Sequence, residues 1–146
     1  MSPRISVRNL QRKIPVNVAE LQKFALRVIP HCLQLRSRTW TDLTKLREIF
    51  VWLISDRRMS RLHRQFLGQK GPTDVLTFQH GEIFISVETA KRHARAFGNS
   101  LLRELQLYIV HGLLHLNGFD DRTQPGARRM EELQAKILGE CDGIEC

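Results

Sequence analysis

Two histidines four residues apart, followed closely by an aspartate, form the strongest chemical pattern in the sequence. His111 and His115 occupy positions i and i+4 of the stretch HGLLHLNGFDD, residues 111–121. On a helix, side chains at this spacing project from the same face, one turn apart. Two imidazoles placed in this way can bind one zinc ion from adjacent turns. The pattern therefore predicts the helical half of a metal site.

A third metal ligand is expected just beyond the end of that helix. Gly118 allows the chain to leave the helix in a left-handed turn and to fold back. Asp121 is the predicted third ligand, with Asp120 as the alternative. Two imidazoles and one carboxylate leave a fourth position open, which is typical of catalytic zinc sites. The competing interpretation is a pair of packing or surface histidines. It is disfavoured because the helix around them is strongly apolar, and burying imidazoles without partners is costly.

The residue after the first histidine argues against one familiar zinc chemistry. In zinc peptidases of the HExxH type, a glutamate at that position acts as general base. This chain has Gly112 there. Because no carboxylate on the helix is placed to take a proton from metal-bound water, peptidase chemistry of that design is disfavoured.

The elements that must position these residues follow from the hydrophobic pattern. The order β-α-β-α-β-β-α-α-α is expected, which is an α+β fold with a small mixed sheet of about four strands packed with five helices. Strands are predicted around Ile5 and Val7 and at residues 49–54, 75–78 and 82–86; the second is apolar on both faces and is predicted to be central.

Capping residues and glycines mark the ends of the helices. Helices are predicted from Asn17 onward, with a kink or an end at Pro30, from Ser55 or Asp56 to Gly68, from Ser86 to Gly98, from Ser100 to Gly118, and from about Thr123 onward. Their inward faces are expected to include Met59, Leu62, Phe66, Phe97, Met130, Leu133 and Ile137.

Length and composition favour one ordinary domain covering residues 1–146, with no repeat or linker. No apolar stretch is long enough for a membrane span, and the first residues lack an apolar signal core, so a cytoplasmic protein without membrane association is expected. The three cysteines, Cys32, Cys141 and Cys146, fit no zinc or disulfide pattern. The last two are expected in a frayed tail.

The net charge of +8 suits a polyanionic partner, most simply nucleic acid. A soluble protein with a solvated basic surface is the alternative. Acidic residues cluster towards the end of the chain, so a basic face would come from earlier segments. The predicted RNA-binding residues lie on the second helix: Arg57, Arg58, Arg61 and Arg64.

Three stretches of the sequence resemble one known family. HGLLHLNGFDD is similar to the HGxLHLxGYDH signature of the YbeY endoribonucleases, GPTDVLTF resembles their PTDVLSF segment, and GEIFIS resembles the strand that follows it. The resemblance extends from about Ile5 to Leu138. It implies a zinc-dependent, single-strand-specific endoribonuclease with one Zn²⁺ per chain. It also implies action in 16S rRNA 3′-end maturation and ribosome quality control, with the small ribosomal subunit as partner.

The sequence departs from the family pattern at two positions. The third zinc ligand of the family is usually histidine, whereas Asp121 stands here; its additional negative charge is expected to weaken the Lewis acidity of the ion. The family has an arginine just before the glycine of the loop, whereas this chain has Leu67. Arg64 and Lys70 are candidate catalytic surrogates that would bind phosphate. The alternative is that both are solvated surface charges.

Two functions therefore remain open. The first is the endoribonuclease; the second is an RNA-binding ribosome-assembly factor with a structural metal and little or no catalysis. The aromatic residues Trp52, Phe66, Phe78, Phe84 and Phe97 are expected mostly in the core, and the histidines outside the pattern, His31, His63, His80 and His93, are expected at the surface.

Overall fold

The described part of the chain forms a four-stranded sheet and five α-helices, in the predicted order. The computed structural model describes residues 3–35, 43–68 and 73–143. Its elements are β1 (Arg4–Asn9), α1 (Val18–Leu33), a short 3-10 turn (Leu43–Lys45), β2 (Glu48–Ile54), α2 (Asp56–Leu67), β3 (Val75–Phe78), β4 (Glu82–Ser86), α3 (Val87–Phe97), α4 (Leu101–Leu116) and α5 (Gln124–Gly143). The predicted α+β class is confirmed.

The sheet is mixed, with strand order β1-β2-β4-β3. β2 pairs in parallel with β1 and with β4, and β3 pairs antiparallel with β4 through a tight hairpin. β2 is therefore central, as its apolar sequence predicts. Because β3 is an edge strand joined to β4 by a short turn, the C-terminal end of β3 and the start of β4 lie at the same end of the sheet.

One face of the sheet carries the main core. Alternate residues of β2, such as Val51 and Leu53, point to this face and are fully buried. α4 packs across β3 and β4, with α1 and α5 beside it, and Met130, Leu133 and Ile137 are buried as predicted. Each fully buried aliphatic side chain contributes roughly 1.5–3 kcal/mol, so this face dominates stability.

The opposite face is covered in part by α2, whose start is fixed by Asp56. Its carboxylate accepts hydrogen bonds from Ser86, Thr89 and Arg92, the last two at 2.7 Å. Partial burial acts to raise the pKa of Asp56, but these hydrogen bonds outweigh it and hold the pKa below its ordinary value. The start of α2 is thereby held against β4 and α3.

Three helix caps form as the sequence indicates. The side chains of Asn17, Ser55 and Ser100 each accept a hydrogen bond from the backbone of the first turn. Ser86 occupies the N-cap position of α3, but its hydroxyl donates to Asp56 instead.

The sequence predicts a kink or an end of α1 at Pro30, and the helix does not end there but continues to Leu33. Proline removes one backbone hydrogen bond, here to the carbonyl of Leu26. Both Pro30 and Leu26 are exposed, so the affected carbonyl lies on the solvent side of the helix, where water can satisfy it. Asn117 stabilises the region that follows, since its side-chain amide donates to the carbonyls of Cys32 and Leu35.

Several predictions of burial are wrong. Phe66 and Phe97, each in the last turn of its helix, are 55% and 73% exposed. His63, a residue of α2, is buried and does not lie at the surface. Cys141 is buried in α5 and not in a frayed tail; Cys146 lies outside the described residues. Burial raises the pKa of the Cys32 thiol to about 12, with a further contribution from Cys141.

No helix in the described ranges combines the length and apolar character needed to cross a bilayer.

Candidate metal centre

The two histidines lie in the last turns of α4, on its partly exposed face. Their rings are perpendicular, with centroids 4.6 Å apart, and their Nε2 atoms are 3.0 Å apart. Each side chain is about a quarter exposed, at 27% for His111 and 23% for His115. The apolar faces of α4 are buried around them, which fixes the helix and hence the direction of both rings.

The chain after α4 brings Asp121 back to the histidines. Asn117 caps the helix, and Gly118 adopts φ +91°, the left-handed conformation that reverses the chain. The carboxylate oxygens of Asp121 then lie 3.6 Å from the Nε2 of His111 and 3.8 Å from that of His115.

Asp120, the alternative third ligand, has a different role. Its carboxylate accepts hydrogen bonds from the backbone and side chain of Arg122. The structure therefore brings Asp121, and not Asp120, to the two histidines.

The three side chains fit a zinc-type cation. Each offers one donor atom, and all three atoms lie within 4.8 Å of one another. Tetrahedral ligands bound at about 2.0–2.2 Å lie roughly 3.3–3.6 Å apart, close to the separations seen here. The Asp121 side chain is 46% exposed, so the cluster opens to solvent on one side.

The electrostatics of the cluster favour the ligating form of His115. Burial lowers its pKa, the neighbouring His111 lowers it further, and Asp121 opposes both effects only in part. An imidazole with a lowered pKa is neutral at neutral pH, and its free lone pair is available to a cation.

A second layer of hydrogen bonds orients the two rings. Gln134 of α5 accepts a hydrogen bond from the Nδ1 of His111 at 2.5 Å. Because an amide oxygen can only accept, Nδ1 carries the proton and Nε2 presents its lone pair to the cluster. The ring of His115 hydrogen bonds to the Phe119 backbone, and the Gln79 side chain donates to the His115 carbonyl at 3.3 Å.

Neither glutamine was identified from the sequence. The sequence does contain a signal for Gln134. This residue lies four positions after Met130 and three before Ile137, so it is a polar residue on the buried face of α5. A polar residue on such a face needs a partner, and His111 supplies it.

Replacing Gln134 with leucine should weaken metal binding by about 10- to 100-fold, because His111 loses the acceptor that fixes its tautomer. The affinity can be measured by competition with a chromophoric zinc chelator. Gln124→Leu, at an exposed position in the first turn of the same helix, is the matched control. Equal affinities for the two variants would contradict the orienting role of Gln134.

The candidate basic residues that the structure describes lie on α2, on the sheet face opposite α4. Phe66, near the end of α2, contacts Phe78 at the end of β3, with ring centroids 5.4 Å apart. Gln79, the next residue, reaches His115. The C-terminal ends of α2 and α4 therefore lie at the same end of the sheet, on either side of β3.

The predicted basic residues differ in their distance from this end. Arg64 lies in the last turn of α2, whereas Arg57 and Arg58 lie in its first turn, near β4 and α3. All three, and Arg61 between them, are exposed. Lys70 falls outside the described residues. Leu67, where the family has arginine, is 54% exposed.

The fold and the cluster define an α+β protein whose central helix carries a candidate metal centre. The family model described as "Endoribonuclease YbeY" matches residues 6–142. The chain therefore belongs to the YbeY family, and the resemblance found in the sequence is confirmed.

Individual relatives agree with this assignment. Proteins named Endoribonuclease YbeY match from Moorella thermoacetica (39% identity over 62% of this chain and 70% of the relative), Frankia casuarinae (32%, over 68% and 60%) and Myxococcus xanthus (37%, over 64% and 36%). The matches thus span between about a third and 70% of these relatives. The solution structure of TM1509 from Thermotoga maritima has a similar fold, with TM-score 0.61 and 25% identity, covering 94% of this chain and 91% of that protein.

Proposed function

We propose that this chain is a zinc-dependent endoribonuclease that cleaves single-stranded RNA. The observation that carries the proposal is the convergence of His111, His115 and Asp121 in a chain of the YbeY family. The relatives named as endoribonucleases support RNA as the substrate. We infer further that the substrate is the 3′ end of 16S rRNA, that the partner is the small ribosomal subunit in the cytoplasm, and that the enzyme serves in ribosome quality control.

In this proposal, one group of residues holds a cation and another group holds the RNA. His111, His115 and Asp121 would hold one Zn²⁺, which when bound would supply Lewis-acid stabilisation of charge on the phosphate. Gln134 keeps the Nε2 of His111 directed at the cluster. The side chain at position 112 cannot assist, because Gly112 faces Ile83 in the sheet. Proton transfer by a carboxylate following His111, as in HExxH peptidases, is therefore absent from the proposed mechanism.

The exposed basic residues of α2 would hold the RNA backbone. Arg57, Arg58, Arg61 and Arg64 present guanidinium groups to solvent, and such groups bind phosphate in a salt-dependent way. Arg64 is the one at the metal-centre end of the helix, which supports it as the surrogate for the family arginine. Lys70 is the second proposed surrogate, on sequence grounds alone.

Arg64→Ala should reduce the cleavage rate by about 100-fold or more while weakening RNA binding only several-fold, as expected for a charge that acts mainly in the transition state. Arg57→Ala, at the far end of the same helix, is the matched control and should lower affinity without a comparable loss of rate. Single-turnover cleavage and fluorescence anisotropy give the two quantities. Parallel losses of rate and affinity in Arg64→Ala would contradict a transition-state role.

We also propose that residues 1–146 form a single domain. The main core draws residues from Ile5 in β1 to Cys141 in α5, so elements from both ends of the described chain share one interior.

A cleavage assay tests the proposed function. The purified chain should cut a labelled single-stranded RNA, lose this activity on treatment with a chelator, and recover it when zinc is restored. A duplex of the same sequence should resist cleavage. RNA binding that is unaffected by chelator, with no cleavage under any condition, would instead support a non-catalytic ribosome-assembly factor with a structural metal. The leucine at position 67 is the observation that favours this second function.

A further inference from the structure

Among the described residues, no helix packs over the part of the outer sheet face that lies nearest β1. On β2, Phe50 and Trp52 point away from the main core and are only partly buried. α2 packs over another part of this face, where Met59 joins Ile54 and Leu76 in a small cluster against which Trp52 also packs. Nearer β1, Phe50 and Trp52 remain partly exposed. A central strand usually buries its large apolar side chains, so a partly exposed aromatic pair on this face is unusual.

These rings form the floor of a groove of about 1070 Å³. Phe50 and Trp52 lie nearly parallel, with centroids 5.1 Å apart and planes 13° apart, and Phe84 continues the row 6.5 Å beyond Trp52. The walls come from the start of β1, residues 45–48, and the β3–β4 turn with the first residue of β4. Parallel rings at this distance stack on one another, so the floor of the groove is a row of stacked rings to which a further planar group can add.

A carboxylate holds the indole in place. Glu82 accepts a hydrogen bond from the Nε1 of Trp52 at 2.7 Å and is bonded to the Nε2 of His80 at 2.6 Å. The indole plane is thus fixed before any ligand arrives, which reduces the entropy lost on binding.

Exposed cations surround the aromatic floor. Arg4 and Arg47 line the groove, and Arg8 lies on the same face of β1, opposite Trp52 in the strand register. In the described part of the chain none of these three guanidinium groups forms an ion pair with a carboxylate. Lys45 also lines the groove, and the opposing charges are Glu48 and Glu82.

We propose that this groove binds single-stranded RNA, with a base extending the aromatic stack of Phe50 and Trp52 and phosphates held by Arg4 and Arg47. Unstacked bases present the flat faces that aromatic rings bind, whereas bases in a duplex do not. Cations beside such rings suit a polyanionic strand better than an apolar peptide. The choice of RNA, rather than another single-stranded nucleic acid, rests on the proposed function.

The β3–β4 turn lies between the groove and the candidate metal centre. Gln79 in the β3–β4 turn donates to the carbonyl of His115, and the next residue, His80, lines the groove. A strand leaving the aromatic floor therefore has only the turn to cross before it meets the histidines. The groove holds the RNA on one side of this turn, and the scissile phosphate lies on the other.

Tryptophan fluorescence reports on this groove directly. The chain has two tryptophans, so Trp40→Phe leaves Trp52 as the sole emitter. Titration of this full-length variant with a single-stranded 2′-O-methyl oligouridine, which lacks the 2′-hydroxyl, should quench the emission saturably. The matching duplex should quench far less. An emission change that tracks protein concentration in the absence of RNA would overturn the proposal, because it would indicate that a second copy covers the groove.

Variants of the groove measure its contribution to affinity. Trp52→Ala should weaken binding of the oligomer by about 5- to 150-fold, the range expected for loss of one base–aromatic stack. Trp52→Phe keeps a ring and should recover most of the affinity, which separates stacking from a general loss of folding. Arg47→Gln should reduce the salt dependence of binding. Phe97→Ala, at an exposed aromatic on α3, is the control. Unchanged affinity in Trp52→Ala, or equal losses in Trp52→Ala and Trp52→Phe, would overturn the proposal.

The test distinguishes failure of the groove from failure of the nuclease. Quenching of Trp52 by RNA without any cleavage would reject the proposed enzyme and leave the groove intact. Zinc-dependent cleavage with no quenching and no effect of Trp52→Ala on affinity would reject the groove and leave the enzyme intact.

Discussion

Replacement of His115 by alanine should remove bound zinc and lower the rate of RNA cleavage by about 1,000-fold or more. The cluster would lose the one ligand whose lowered pKa keeps it neutral and able to bind a cation. Two donors, His111 and Asp121, would remain at 3.6 Å from each other, too few for a stable site. The loss would also remove several kcal/mol of charge stabilisation in the transition state. Zinc content by mass spectrometry and single-turnover cleavage are the measurements.

The control for this variant is another partly buried histidine. His31→Ala removes an imidazole from α1 that pairs with Glu140, on a different part of the surface. It should retain one zinc per chain and near-normal cleavage. The His115→Ala protein must also be compared with zinc-stripped wild type, which should resemble it in both stability and inactivity. A His115→Ala protein that keeps its zinc and its activity would remove the basis of the proposed function.

The candidate metal centre is predictable from the sequence only in its local part. His111 and His115 share a helix face by periodicity, and Gly118 provides the turn that returns Asp121. These four residues lie within eleven positions, so local geometry decides their arrangement. Gln134 comes from another helix, and its contact with His111 depends on how α5 packs against α4. Helical periodicity indicates which face of α5 is buried but not which side chain it meets.

The outer face of the sheet illustrates a second limit of sequence analysis. Residues 49–54 are apolar without interruption, which correctly predicts a central strand. The same pattern predicts burial on both faces, and this is wrong for Phe50 and Trp52, which are partly exposed. Whether a face is covered depends on where α2 crosses the sheet. That position is set by contacts distant in sequence, such as the hydrogen bonds of Asp56 to Thr89 and Arg92.

Gly112→Ala should destabilise the fold by about 1–3 kcal/mol, although alanine is the better helix former by about 1 kcal/mol. Gly112 faces the sheet, where a Cβ atom would lie 2.7 Å from the Cγ2 of Ile83 and 2.8 Å from its Cδ1. Ile83 is fully buried on β4 and β-branched, so it has little freedom to turn aside. The free energy of unfolding in urea gives the effect. Gly139→Ala on α5, where nothing lies within 4 Å, is the control and should be neutral or stabilising.

A double-mutant cycle assigns the cost to this contact. Ile83→Ala alone should destabilise by about 2–5 kcal/mol because it leaves a cavity, but it should cost less in the Gly112→Ala background, where the new methyl fills part of the space. Additive effects would instead indicate that α4 relaxes without strain.

Since α4 carries both histidines, a helix displaced from β4 would also shift them relative to Gln79 and Gln134. Zinc affinity should therefore fall in Gly112→Ala and recover in the double variant, because close packing of the helix on the sheet determines where the imidazoles lie.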